Sequence, residues 1–235
     1  MTHNRLEDLK IAYIFEFPDG KSVDFHVLID AVTRTIRDYN RKSSELVSWT
    51  ALDFCQCTNC PLDPGSVREC PVASILNALV EAFEERISYE EITVDVVTPQ
   101  RTYSKKTSVQ YGLQSLYGLM MAASGCPNLE FLSPMALFHL PFADMRETLM
   151  RTVSFHLLGY FLKNMGKIPE KCSLQELKEK YHEVEKVNDG ILRRIRSREK
   201  AGDANHNALV ALNTFAQTVS LDDAYILNSL GSIFL

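Results

Sequence analysis

An α+β fold is predicted by three features of the sequence. Alternating apolar residues are confined to the first part of the chain. Helical periodicity dominates the rest. The two do not alternate regularly, as a βαβ architecture would require. The expectation is a small, mostly antiparallel sheet of four or five strands near the N-terminus, with a helical C-terminal half.

The strands come first. Lys10–Phe17 places Ile11, Tyr13, Phe15 and Phe17 on one face, and Ser22–Ile29 does the same with Val23, Phe25, Val27 and Ile29. Pro18-Asp19-Gly20-Lys21 between them is a turn, so the pair reads as a β-hairpin. Leu46–Phe54 reads as a third strand leading into the cysteines. Ile92–Thr98 alternates again, and Pro99-Gln100 turns the chain into a shorter strand, Arg101–Lys105.

Helices occupy the remainder. Val72–Ile87 carries Ile75, Leu76, Leu79, Val80 and Phe83 at helical spacing, with Pro71 at its start, where proline is tolerated. Ser108–Ser124 is a second helix, with Gly125 fitted to its C-terminal end. Asp144 and Glu147 have capping-box spacing for a third, which runs to Asn164. Ser173 and Glu176 repeat that spacing before a long polar helix whose apolar stripe is Leu174, Leu177, Tyr181, Val184, Ile191 and Ile195. Asp203 is expected to cap a fifth helix, and Ser220 with Asp223 a final short one. Gly166, Lys167 and Pro169 suggest a break. The chain then divides into an α+β domain over 1–166, carrying the cysteines, and a helical extension over 167–235 packed on it; one single domain is the alternative.

The chain has 235 residues, 46% hydrophobic and 23% charged, which is an ordinary globular composition. Its net charge is -5, from 25 Lys and Arg against 30 Asp and Glu. No general attraction to nucleic acid follows from that balance. The longest apolar stretches, Leu113–Ala123 and Val153–Leu162, are shorter than the roughly 20 residues that span a bilayer. Met1–Lys10 has no apolar core of a secretory signal. The expected partners therefore include neither nucleic acid nor membrane, and the expected location is the cytoplasm. A homo-oligomer or a protein partner stays open.

Of the six cysteines, Cys55, Cys57, Cys60 and Cys70 lie close together in sequence. In a reducing compartment such a cluster points to metal ligands or redox thiols rather than disulfides. Cys57-x-x-Cys60 is a knuckle spacing that lets two sulfurs face one ion. Cys70 opens a helix, where the dipole favours a thiolate. Cys126 sits in Ser124-Gly125-Cys126-Pro127, and shares with Cys60 and Cys70 a following proline that stiffens the mount. Two four-sulfur sets are possible: Cys55, Cys57, Cys60 and Cys70, or Cys57, Cys60, Cys70 and Cys126. The second is preferred, because Cys55 and Cys57 at a strand end are hard to bring to one metal together with Cys60. Four sulfurs suit zinc, and the same ligands suit an iron–sulfur cluster, although the spacing matches neither common ferredoxin run. A redox dithiol at Cys57 and Cys60, or plain packing of buried cysteines, are the competing readings. Cys172 stands alone and reads as incidental.

His139, in Phe138-His139-Leu140-Pro141-Phe142, is a possible further ligand or general base, against the plainer role of a half-buried loop histidine. Arg151 is spaced for a solvated pair with Glu147. His156 reads as a satisfied core histidine. Arg193, Arg194, Arg196, Arg198 and Lys200 read as a solvated, basic helix end that complements the helix dipole. No P-loop, Gly-x-Gly-x-x-Gly, His-Glu-x-x-His or Gly-x-Ser-x-Gly motif is present, which removes the simplest nucleotide, zinc-protease and hydrolase readings.

The ordered segments Cys57-x-x-Cys60-Pro61-Leu62, Cys70-Pro71-Val72-Ala73, Gln110-x-Gly112-Leu113, Ser124-Gly125-Cys126-Pro127, Pro134-Met135 and Phe138-His139-Leu140-Pro141-Phe142 resemble an uncharacterised family of bacterial proteins. Tyr181, Val187-Asn188 and Asp203-Ala204-Asn205 also fit it. The resemblance implies a grouping of Cys57, Cys60, Cys70 and Cys126 and transfers no activity. The expected function is then a metal-binding protein with a four-cysteine site, most simply structural zinc. The alternative is an iron–sulfur or dithiol redox protein using the same cysteines. A weaker variant, with His139 at an open catalytic metal, leaves room for an enzyme.

Overall fold

In a computed structural model, residues 7–39, 47–164, 166, 174–198, 202–221 and 223–234 are described. The hairpin forms as expected: β1 (Leu9–Glu16) pairs antiparallel with β2 (Ser22–Ile29), setting Tyr13 opposite Phe25. Gly20 supplies the left-handed turn residue, at φ 79°. β3 (Ile36–Asp38) adds to the outer side of β2. On the other side β1 pairs with β4 (Glu91–Val97), and β4 with β5 (Thr102–Ser108). The result is one five-stranded antiparallel sheet, ordered β3-β2-β1-β4-β5. With the helices that follow, the chain has an α+β fold.

The period-two pattern decides the buried face. Ile11, Tyr13, Phe15, Phe25, Val27, Ile29, Ile92, Val94 and Val96 are all buried. Two helices are in contact with each other and contribute to the same apolar core, α1 (Pro71–Ala82) and α2 (Val109–Ala122). α2 lies close on the sheet: a Cβ at Gly112 would meet Val94 Cγ2 at 2.9 Å. A short 3-10 helix (Pro127–Leu132), α3 (Ser133–Leu137) and α4 (Met145–Lys163) follow. The long α5 (Gln175–Arg196) packs on α6 (Ala204–Leu221), which packs on α2. α7 (Asp223–Phe234) ends the chain against α4. One apolar core runs through residues from both sides of Gly166. Among the described residues, no helix is long and apolar enough to cross a membrane.

Several sequence expectations change. The third strand is Ile36–Asp38, and the described residues 47–54 of the expected strand form none; Leu46 lies outside the described residues. Within 47–54, Ser48–Thr50 is a 3-10 turn, followed by a single bridge between Ala51 and Glu69. A local bond competes with the extended form there, Thr50 Oγ1 donating to the Val47 carbonyl at 2.9 Å, and a long-range bond from Trp49 Nε1 to Asn77 Oδ1 at 2.8 Å ties the indole to α1. The capping box at Asp144 and Glu147 is present in both directions. Asp203 stands just before α6, its carbonyl accepting the Asn207 amide at 3.0 Å, and its carboxylate accepts from the Ser88 amide at 2.7 Å and hydroxyl at 3.0 Å. Ser220 is the penultimate residue of α6, not a cap for α7. Cys172, Ser173 and Lys200, and the expectations that fell on them, lie outside the described residues.

Candidate functional site

Cys57 and Cys60 flank a tight turn in which the Cys60 amide donates to the Cys57 carbonyl at 3.1 Å. Gln56 Nε2 reaches the Leu62 carbonyl at 2.9 Å and holds the loop closed. Cys70 is the residue before α1, with Pro71 at the first helical position, and its amide donates to Thr50 O at 2.8 Å. Cys126 repeats that arrangement before the 3-10 helix Pro127–Leu132, with Pro127 first. Asn128 Nδ2 donates to the Asn59 carbonyl at 3.1 Å, which pins the Cys126 segment to the Cys57–Cys60 loop.

The four cysteines of the preferred set share one electrostatic neighbourhood. Burial pushes the Cys57 thiol up to about 11, and Cys70 and Cys60 add to the rise while Arg194 and Arg193 oppose it. Burial likewise raises Cys126 to about 12; Cys70 and Cys57 contribute, and the amides of Asn128 and Leu129 pull the other way. Cys55 is exposed, on a left-handed residue at φ 47°. All five described cysteines are free thiols. Among the described residues no three Cys, His, Asp or Glu side chains are drawn together tightly enough to enclose an ion. The sulfurs are neighbours with separate orientations: Cys57 Sγ faces the Val187 carbonyl at 3.9 Å, and Cys126 faces its own following amides.

Residues 11–235 match the family model described as a domain of unknown function, DUF6901. The chain belongs to the DUF6901 family. No curated protein and no solved structure matches it.

In this DUF6901 chain one face of α5 reads the whole cysteine loop. Asn59 Nδ2 donates to the Glu183 carbonyl at 3.0 Å and to Glu183 Oε2 at 2.8 Å. Cys57 lies against Val187 and Gly190. Arg194 then donates to the carbonyls of Trp49 at 2.7 Å, Ala51 at 2.7 Å and Leu52 at 2.9 Å. Residues 183, 187, 190 and 194 recur at helical spacing and so share a face. Arg194 therefore departs from the solvated helix end expected of it: it is fully buried, at 0% exposure. No carboxylate pairs with it among the described residues, and its Nε has no hydrogen-bond partner. Arg198 also leaves solvent in part, reaching Glu84 Oε2 at 3.4 Å and the Trp49 ring.

The sequence offered one unused signal for this face. A glycine inside a long helix costs about 1 kcal/mol relative to alanine, and such a position usually has a packing reason. Gly190 is that residue.

His139 is placed elsewhere. Its Nε2 is hydrogen-bonded to the Tyr13 hydroxyl, which also meets Ser115 Oγ at 2.8 Å. Burial pushes its pKa down to about 3, with Arg151 adding to the drop, so the ring is neutral. Arg151 is not a solvated partner of Glu147: it turns inward and donates to the carbonyls of Met135 at 3.0 Å and Phe138 at 2.8 Å. His156 is half-buried, with its pKa lowered mainly by burial.

Proposed function

We propose that this protein binds metal through Cys57, Cys60, Cys70 and Cys126, that the ion is zinc, and that it serves as a structural crosslink. The observation that carries the reading is Arg194. A guanidinium buried without a carboxylate is costly, since a buried charge needs compensation. It sits on the helix face that holds Cys57 and acts on that thiol electrostatically. Four thiolates around a divalent zinc carry net negative charge, which is the counter-charge Arg194 lacks. Burial of Cys57 and Cys126 accords with a structural role: without metal these two thiols stay protonated at neutral pH and are poor nucleophiles. Metal binding would displace their protons and tie the loop before α1 to the one after α2.

The test is elemental analysis with a visible spectrum on protein purified anaerobically without added metal. One zinc per chain and no colour are expected, and Cys60→Ser should lose metal and melting temperature together. Iron with labile sulfide would replace zinc by an iron–sulfur redox centre. A metal-free protein with two fast-reacting thiols would leave the dithiol alternative. A Cys60→Ser protein with full metal content and unchanged melting temperature would overturn the proposal.

A further inference from the structure

A cavity of about 770 Å³ lies between α2, α3, the start of α4, α5 and α6. Small-molecule sites occupy roughly 300–1,000 Å³ and combine apolar walls with a few placed polar groups. Leu119, Leu129, Leu132, Met135, Leu212 and Phe215 form much of the wall. No cysteine lines it, so it is independent of the metal reading.

Two features indicate that this space is built to hold something. The first is Asn188, which lines the cavity and is 1% exposed, with its Oδ1 buried and without a hydrogen-bond partner. Its Nδ2 is used, donating to Asn213 Oδ1 at 3.2 Å. A buried amide oxygen left unpaired costs about 1–3 kcal/mol, and a ligand donor would relieve that. The second is the balance of charge. Lys105 and Arg151 both line the cavity and neither forms an ion pair among the described residues. Asp144, the carboxylate in the lining, is committed to the Glu147 amide at 2.8 Å. Glu147 acts on Arg151 from one turn away, but its Oε2 is held on the Asp144 amide at 2.8 Å. His139 adds no charge, because burial, with Arg151 adding to it, keeps its ring neutral.

From this we infer that the cavity binds an apolar carboxylic acid whose body carries a hydrogen-bond donor, the carboxylate meeting Arg151 and Lys105 and the donor meeting Asn188. A hydroxylated aliphatic acid has that chemistry. The glycine at 118 leaves part of the space open: it lines the cavity from α2, and a Cβ there would meet only Leu212 Cδ2, at 3.7 Å. A larger side chain at that position would enter the cavity without disturbing the helix.

Calorimetric titration of the full chain with ω-hydroxydodecanoate, and with dodecanediol as the uncharged comparator, tests the assignment. Saturable binding of the acid is expected, at least about tenfold tighter than the diol, the scale of one charge-assisted contact. Gly118→Leu should abolish it while keeping the melting temperature. Lys105→Gln, on an exposed strand position, should weaken the acid and leave the diol unchanged, which keeps the charge preference testable if Arg151→Met fails to fold. Asn188→Leu should weaken the acid several-fold. No binding of the acid, equal binding of acid and diol, or binding unaffected by Gly118→Leu would each overturn the inference.

Discussion

Gly190 and Cys57 are in contact with no room between them: a Cβ on Gly190 would fall 2.5 Å from Cys57 Sγ and 3.4 Å from Cys57 Cα. The cysteine loop is thus seated directly on the backbone of α5. Gly190→Ala is expected to destabilise the protein even though alanine is the better helix former by about 1 kcal/mol. Over-packing of this kind costs about 1–3 kcal/mol. The sulfur cannot yield freely, because Asn59 and Arg194 anchor the loop on either side. Urea unfolding checks the sign. If alanine raised the midpoint, the close seating of loop on helix would be wrong.

Arg194 separates structural support from charge balance. Arg194→Met removes donors from three carbonyls, and hydrogen bonds to charged groups contribute about 1.5–3 kcal/mol each, so a loss of about 3 kcal/mol or more is expected. Arg194→Lys keeps the charge but not the fork that spans three acceptors. Lysine should therefore recover metal content more fully than it recovers stability, while methionine should lose both. Equal metal content in all three proteins would disconnect Arg194 from the cysteine site.

The sheet was legible because one of its faces is buried, which makes the period-two signal in β1, β2 and β4 unambiguous. β3 was not: three residues are too few to show a period, and its pairing with β2 depends on Ile36 also donating to the Ala123 carbonyl. Leu46–Phe54 misled because buried Trp49 and Thr50 mimic strand residues, while Thr50 bonds back to Val47 and Trp49 reaches Asn77 on α1. At the candidate site the proposed grouping of the cysteines rests on their spacing and on the prolines after three of them. Arg194, Asn188 and Arg151 were hidden because a charged or amide residue in a helix reads as solvent-facing. Only the tertiary packing of α5 and α4 turns them inward.

His139 makes the fold sensitive to acid. Its folded pKa of about 3 lies below the ordinary value of 6.5, because burial disfavours the charged ring. The unfolded chain then binds a proton that the folded one does not. Stability from the neutral ring is fully present above pH 6.5 and is lost as pH falls from 6.5 towards 3. Tyr13 cannot compensate, since its own burial keeps it protonated. His139→Gln retains a polar partner for Tyr13 and cannot titrate. Its stability should fall less steeply than the parent's across that acid range, measured by urea unfolding at a series of pH values. Parallel curves would place the acid sensitivity on other groups.

Asp203 fastens the start of α6 to the turn before β4. Its carboxylate accepts from the Ser88 amide and hydroxyl, and from Asn207 Nδ2 at 2.9 Å. The neighbouring backbone adds two links, Gly202 to the Glu84 carbonyl at 3.1 Å and Ala204 to the Arg86 carbonyl at 3.2 Å. Gly202 is required for that approach, because a Cβ there would lie 2.6 Å from both carbonyl oxygens of Glu84 and Arg86. Asp203→Ala leaves the Ser88 amide and hydroxyl without their acceptor, at about 1–3 kcal/mol for groups cut off from water. Because α6 packs on both α2 and α5, the loss should be global, lowering one cooperative unfolding transition. Asp203→Asn keeps an acceptor oxygen and should recover part of it. A second, separate transition in Asp203→Ala would mean that the helices after residue 202 unfold apart from the sheet, in keeping with a distinct helical extension.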